Sequence, residues 1–434
     1  MKKSLKILVF SSGHGYSHNL FNAKIADTLS KSGHNVTLMT LGFSSLSKSN
    51  LTKYANFIYV PIEKKLKNQI INGESLKDMW IKDDHILLKL LKFQSISNEY
   101  VDTCKYIFDQ DKITENIRQI NFDIMISEIF LLCPLVLNKN KGKTVDISNV
   151  FIKSSAIFIN LMSFLDYSLP LTNKIYYIGG IALQKPKPLN KNINNILNIK
   201  KYNVLFSFGS IITLHYMSQY LIENIFKTFS KLQEVTFIIN IPNFNLTLKI
   251  PNNVYVYKWI PQTDILHDNR INLFITHGGQ NSINEAISAG KSMLVIPVFG
   301  DQDRNTGMIL RLKIGDYFNK LNLNNSKLFK NKIWKMLQSK KYTKNVKELK
   351  NLYEKSPFKS NEIVVKVTEY ADCLKSIMNK IWLFFILTII LIVATNIHCS
   401  EHERKKRQYG YVQYYPDDCY NIVYQPEYVP VIPC

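Results

Sequence analysis

Residues 259–302 read WIPQTDILHDNRINLFITHGGQNSINEAISAGKSMLVIPVFGDQ. This stretch decides the fold. Asn272–Thr276 is a short apolar run ending in threonine, and His277-Gly278-Gly279 is a turn that only small residues allow. From Asn281 to Ala289, Ile283, Ala286 and Ile287 recur at helical spacing, and Gly290 follows as a stop signal. Leu294–Pro297 is apolar again. The order predicts a βαβ unit with a glycine turn at the carboxyl end of its first strand. In open α/β sheets ligands bind at that edge, with an anionic group at the helix N-terminus.

The residues around the turn suit a sugar nucleotide. Gly278 and Gly279 let the backbone approach a phosphate, and His277, Asn281 and Ser282 place short polar side chains around the same anion. Glu285 lies one turn on, where a carboxylate can accept both hydroxyls of a ribose. Trp259 and Gln262 offer an aromatic plate and an amide for a flat base. Asp301 and Gln302, after the next strand, are placed for sugar hydroxyls. A plainer reading stands beside this one: Ser282 and Glu285 form an S-x-x-E capping box, and Trp259 is core.

Outward from this unit, KILVF (6–10) is a buried strand, and Phe21, Ile25, Ala26 and Leu29 mark an amphipathic helix over 19–32. Gly33 ends it and VTLMT (36–40) is the next strand. The G-H-G at 13–15 lacks the third glycine of a dinucleotide fingerprint. His18 begins the helix at the carboxyl edge of the sheet, where a helix N-terminus disfavours imidazolium and keeps the ring neutral; otherwise it is a surface histidine. Residues 62–120 are lysine-rich and mostly helical by pattern, and 80–93 is amphipathic and placed to line an acceptor pocket. FDIMISEIF (122–130) is a buried strand ending in Glu128. Ala182–Lys201 reads as a linker. NVLFSFGSI (203–211) opens a second domain, with Gly209 and Ser210 offering backbone N–H groups to the same phosphate. Further helix and strand signals at 221–229, 235–239 and 254–257 argue for a parallel sheet.

Three motifs carry a resemblance: W-x-P-Q (Trp259, Pro261, Gln262), H-G-G-x-N-S-x-x-E-A (His277 to Ala286) and F-G-D-Q (Phe299 to Gln302). Together they resemble the donor signature of UDP-glycosyltransferases, the group that includes UDP-glucuronosyltransferases. The pattern from Gly15 to Thr37 is similar to the acceptor-side opening of that family. The resemblance implies a GT-B fold: an α/β protein of two Rossmann-like domains with parallel sheets. It places Trp259 and Gln262 on uracil, His277, Gly279, Asn281 and Ser282 on the diphosphate, Glu285 on the ribose, and Asp301 with Gln302 on the sugar. It makes His18 the catalytic base and Glu128, usually an aspartate, the acid that orients it. It implies transfer of glucose or glucuronic acid from a UDP-sugar to a small lipophilic acceptor, with inversion, no cofactor and no metal. Two departures stand out. The family usually has proline where this chain reads Gly290-Lys291-Ser292, which predicts a looser loop. Family members also carry several tens of further residues between the stretch ending at Asn149 and the segment that starts at Val150, so the N-terminal domain reads as incomplete.

The expected domains are 1–181, acceptor-binding; 182–201, linker; 202–377, UDP-sugar-binding; 378–400, a transmembrane or signal-like segment; and 401–434, a Tyr/Pro-rich tail unlike the family. Ile381–Ile397 is almost wholly apolar, and Arg404–Arg407 after it is basic, an arrangement that puts the tail in the cytosol of a single-pass protein of the endoplasmic reticulum. Against this, Met1-Lys-Lys-Ser runs straight into the first strand with no signal. Met378 onward resembles a separate secreted protein joined by fusion or gene-model error. Sequons occur at Asn35, Asn50, Asn245 and Asn324.

Across 434 residues, 55 Lys+Arg against 33 Asp+Glu give a net charge of +22. Such a charge suits nucleic acid or anionic membrane, but the lysines are spread along the chain without interleaved aromatics, and Lys, Asn and Ile share A/T-rich codons. Nucleic-acid binding is not expected. The six cysteines form no C-x-x-C pair. Asp109-Gln110-Asp111 and Asp301-Gln302-Asp303 have a metal-binding D-x-D spacing but neither has the supporting context. Two alternatives remain: a UDP-sugar-binding remnant without turnover, and a soluble cytosolic glycosyltransferase with another acceptor.

Overall fold

The structure is a computed structural model that describes residues 3–13, 15–42, 51–62, 77–80, 106, 115, 117, 119–128, 154–168, 170–209, 214–242 and 248–378. Two parallel sheets dominate it. The first has the order β3-β2-β1-β4, built from β1 (Lys6–Ser11), β2 (Asn35–Leu41), β3 (Asn56–Val60) and β4 (Ile124–Ser127), with helix α1 (Tyr16–Lys31) between β1 and β2. A short parallel pair, β5 (Ile157–Ile159) and β6 (Ile175–Tyr177), follows. Residues 182–201, expected as linker, include the short helix α2 (Lys191–Ile196), capped where Asn190 Oδ1 accepts the Ile193 N–H at 2.9 Å.

The second sheet is six-stranded, in the order β12-β11-β10-β7-β8-β9. Its strands are β7 (Tyr202–Ser207), β8 (Val235–Asn240), β9 (Val254–Tyr257), β10 (Ile271–Thr276), β11 (Met293–Val295) and β12 (Gly315–Tyr317). The helices between them are α3 (Gln219–Ser230), α4 (Gln262–His267), α5 (Gln280–Ala289) and α6 (Gln302–Arg311). After β12 come α7 (Ser326–Gln338), α8 (Lys340–Glu354) and α9 (Ser360–Met378).

The central strands β1, β2, β4, β7, β8 and β10 are covered on both faces, and such strands read as continuous apolar runs. In β1, Ile7 and Val9 enter one core with α1, while Leu8 and Phe10 enter another with Met39, Val60 and Phe122. Each fully buried Leu or Ile stabilises the fold by roughly 1.5–3 kcal/mol.

Two features depart from the sequence reading. Helix α9, assigned from sequence mostly to the second domain, packs on the first sheet: Val364, Val367 and Ala371 join the core of Ile7, Val9, Leu38 and Ile124. Lys3 pairs with Asp372 at 2.9 Å and His34 with Glu369 at 3.1 Å along the same seam. An amphipathic pattern says that a face is buried, not against which sheet. Trp80, expected in an acceptor-lining helix, is 1 % exposed in the core of the second sheet, 5.1 Å from the Phe208 ring. Residues 81–93, Asp109–Asp111, Ser210 and 381–434 lie outside the described residues. Among the described residues no helix is long and apolar enough to cross a membrane.

Candidate active site

Both sheets reverse their strand order beside the strand that opens them, between β1 and β4 in the first and between β7 and β10 in the second. The crevice at the carboxyl ends of strands on either side of such a reversal is where open α/β sheets take ligands. The expected site residues gather at these two places.

At the first, the chain leaves β1 through Gly13, whose φ is +71° and whose added Cβ would collide with the Leu41 carbonyl. The chain then enters α1, with His18 in the first turn. Glu128 follows β4 and is 2 % exposed. His18 Nδ1 lies 3.0 Å from Glu128 Oε2. An ionised carboxylate only accepts, so Nδ1 carries the hydrogen and Nε2 is left to take a proton. Glu128 also accepts from Ser12 Oγ at 2.9 Å and from Asn22 Nδ2. Burial lowers the His18 pKa, but the charge and hydrogen bond of Glu128, with a smaller effect from Asp301, outweigh it and raise the pKa above 6.5. The direction is opposite to the one a helix N-terminus alone would give, because a carboxylate at hydrogen-bond distance exceeds a helix-end partial charge.

At the second, His277 follows β10 and its imidazole sits between two glycines. A Cβ on Gly279 would stand 2.5 Å from Nε2, and one on Gly209 3.0 Å from Cε1. These glycines make room for the ring as well as for a phosphate. Burial lowers the His277 pKa to about 4, so it meets a ligand as a neutral imidazole. Helix α5 begins after Gly279 with no side-chain cap. Ser282 is inside the helix, and the Glu285 carboxylate accepts from Gln262 Nε2 and, at 2.8 Å, from Thr263 Oγ1. The capping-box reading of S-x-x-E fails on that register. Burial raises the Glu285 pKa, against the pull of those two hydrogen bonds.

Trp259 is 56 % exposed, so it is not core. Its edge meets Tyr16 of α1, with centroids 5.3 Å apart and planes at 82°. Gln262 Nε2 also reaches Ser282 Oγ at 3.4 Å. The Gln262 amide, the Ser282 hydroxyl and the Glu285 carboxylate thus form one patch. Asn281 lies in the first turn of α5, its Nδ2 donating to the Ser17 carbonyl at 3.3 Å.

Asp301 accepts from Asn305 Nδ2 at 2.8 Å, and the same nitrogen donates to the Gly278 carbonyl at 2.9 Å. Burial raises the Asp301 pKa, opposed by Asn305 and by the charges of His18 and Arg304. The mutual influence of His18 and Asp301 shows that the two sheet edges face each other. Gln302 is 2 % exposed and its Oε1 accepts the Val298 and Phe299 N–H groups at 2.7 and 3.1 Å. It shapes the loop with its oxygen and keeps only its Nε2 for a ligand.

The Gly290-Lys291-Ser292 departure produces no loosening. Lys291 is 8 % exposed and its Nζ donates to the carbonyls of Asp268 and Ile271 at 2.8 and 3.0 Å. Burial lowers its pKa to about 8. Farther along α6, Arg304 pairs with buried Asp166, and Arg304 and Arg311 lie 5.5 and 5.1 Å from the Tyr167 ring.

The sequence reading missed Ser12 and Asn22 around Glu128, Tyr16 beside Trp259, and Asn305 beneath Asp301. Asn22 carried a usable signal: it stands one turn beyond His18 on α1.

Comparison with known proteins agrees with this fold. The family model described as UDP-glucoronosyl and UDP-glucosyl transferase matches residues 5–141 and 138–372. An ecdysteroid UDP-glucosyltransferase of Lacanobia oleracea granulosis virus is 29 % identical over 247 residues, 56 % of this chain and 53 % of the viral protein. UDP-glucuronosyltransferase 3A1 of Bos taurus is 25 % identical over 397 residues, 72 % of this chain and 73 % of the bovine one. The solved structure of a UDP-glucose:anthocyanidin 3-O-glucosyltransferase in complex with UDP superposes with a TM-score of 0.63 at 13 % identity, covering 86 % of this chain and all of that one, which fixes the GT-B fold. By its fold, its motifs and the family match across both sheets, the chain belongs to the UDP-glucoronosyl and UDP-glucosyl transferase family, whose co-substrate is a UDP-sugar.

Proposed function

We propose that the chain transfers glucose or glucuronic acid from a UDP-sugar to a hydroxyl of a small lipophilic acceptor, with inversion. The observation that carries this is the His18–Glu128 pair at one sheet edge, facing Asp301 and the His277 turn at the other. The acceptor hydroxyl gives its proton to His18 Nε2 as its oxygen attacks the anomeric carbon. The bond from that carbon to the β-phosphate oxygen breaks, and its electron pair leaves with UDP. Glu128 holds the ring's tautomer and stabilises the imidazolium. The neutral His277 and the open N–H groups of α5 take the charge that develops on UDP. Trp259 and Gln262 hold uracil, Glu285 the ribose, and Asp301 and Gln302 the sugar. The sequence places Ser210 beside the diphosphate with Gly209.

The test is UDP release by the full chain with UDP-glucose or UDP-glucuronate and a panel of phenols, beside His18→Ala. Turnover lost in the variant supports the reading. UDP binding without turnover in either chain supports the second reading, a donor-binding remnant. That alternative is favoured by the family match breaking into two parts at 138–141, a few residues before the junction after Asn149 where the sequence reading placed the missing residues. Membrane attachment through 381–397, with the basic 404–407 cytosolic, is proposed from the apolar run itself. Protease protection of the domains in microsomes tests it, and full digestion refutes it.

A further inference from the structure

Asn160 follows β5 in the first half of the chain and is 4 % exposed. Its Nδ2 donates to Asn281 Oδ1 at 2.7 Å, and its Oδ1 accepts from Asn284 Nδ2 at 3.2 Å. Asn284 Oδ1 in turn accepts from Gln280 Nε2 at 3.0 Å. At the other end Asn281 Nδ2 donates to the Ser17 carbonyl. Four side-chain amides therefore form one file from α5 to the first turn of α1: Gln280, Asn284, Asn160, Asn281.

The direction of this file is fixed by its last member. A backbone carbonyl only accepts, so Asn281 must present nitrogen to Ser17 and oxygen to Asn160. Asn160 must then present nitrogen to Asn281 and oxygen to Asn284, and Asn284 oxygen to Gln280. Reversing any one of the three asparagine amides sets nitrogen against nitrogen or oxygen against oxygen on both of its sides. Gln280 Oε1, at the open end, is buried and meets no donor among the described residues. The file ends at the residue before His18, and it passes through the asparagine that the motif places on the diphosphate.

We infer that Asn160 is a positioning residue: it holds the Asn281 amide with one N–H on Ser17 and the other free for the donor phosphate, so that the donor turn and the base helix are set as a unit. The inference rests on the proposed reaction for its effect on turnover, but not for its effect on UDP binding. Asn160 has no contact with substrate in this arrangement and acts only through Asn281.

The test is a double-mutant cycle on the full chain with Asn160→Ala, Asn281→Ala and the pair, reading UDP affinity by calorimetry and UDP release by kinetics. Asn160→Asp is added because it keeps the volume and cannot donate to Asn281. Asn160→Ala and Asn160→Asp are expected to weaken UDP binding about 10-fold in the wild-type background and under about 2-fold beside Asn281→Ala, since coupled sites are not additive. Turnover should fall by about 10²-fold, as for a misplaced reacting group. The acid limb of the pH profile should stay in place, because Glu128 sets the His18 pKa. Equal losses in both backgrounds, or unchanged UDP affinity in Asn160→Asp, would overturn the inference even if turnover is normal. Coupled UDP affinities in a chain that releases no UDP would sustain it while refuting the proposed reaction.

Discussion

Glu128 decides how His18 responds to pH. Its charge and hydrogen bond raise the imidazole pKa above 6.5 in spite of burial. A base works only when deprotonated, so activity falls as pH drops through that raised value. In Glu128→Gln burial acts almost alone, and the acid limb of kcat/KM moves below 6.5 while turnover at pH 8 falls by about 10²-fold. A limb that stays in place would mean that another group titrates. Lys291 gives a second test. Its folded pKa of about 8 lies under the ordinary 10.5, so between these values the folded chain holds fewer protons than the unfolded one. Stability therefore gains as pH rises through that window, and this gain is absent in Lys291→Met. At pH 7 the variant is less stable by about 2 kcal/mol in urea, because the carbonyls of Asp268 and Ile271 lose a charged donor. The role of Lys291 was hidden in the sequence, where a lysine after a glycine stop reads as solvated surface.

At the scale of elements, Gly279 can be separated from its backbone role. Its φ of −64° suits any residue, yet a Cβ there meets His277. Gly279→Ala should leave the midpoint of thermal unfolding within a few degrees and weaken UDP binding by roughly 10²-fold through the displaced ring. Loss of the fold instead would show that the turn, not the imidazole, needs the glycine. On α6, Asp166→Asn leaves the Arg304 guanidinium buried without its charge partner and costs about 3–5 kcal/mol in urea unfolding. Arg304→Met in the same chain recovers part of that loss. The elements themselves were legible in the sequence because parallel strands covered on both faces announce themselves as apolar runs, and because the glycine turn stands where β10 ends. The Asp166–Arg304 pair was not, since a charged residue in a loop and an arginine on a helix give no sign that they meet.

For the molecule as a whole, UDP at a hundredfold excess over its dissociation constant should stabilise the fold by about 2.7 kcal/mol. His18→Ala should keep that gain, because the histidine belongs to the opposite sheet edge. If the variant loses it, His18 contributes to holding the nucleotide. Two βαβ units were readable from two glycine turns, each after an apolar run, and the resemblance carried by the motifs implied their GT-B arrangement. What periodicity could not convey was connection across the chain: Trp80 in the core of the second sheet, and α9 on the first.

The crossing of α9 has a consequence for biosynthesis. On the ribosome, β1, α1 and β2 emerge first, but the helix that completes the cover of their apolar face is made only after residue 360. At ordinary elongation speeds that is a delay on the order of tens of seconds. The nascent first domain waits with only α1 on the face of Ile7, Val9 and Leu38 while the second domain is translated, and it offers the part that Val364, Val367 and Ala371 will cover to chaperones in the interval. The half of the protein that is born first is the half that is finished last.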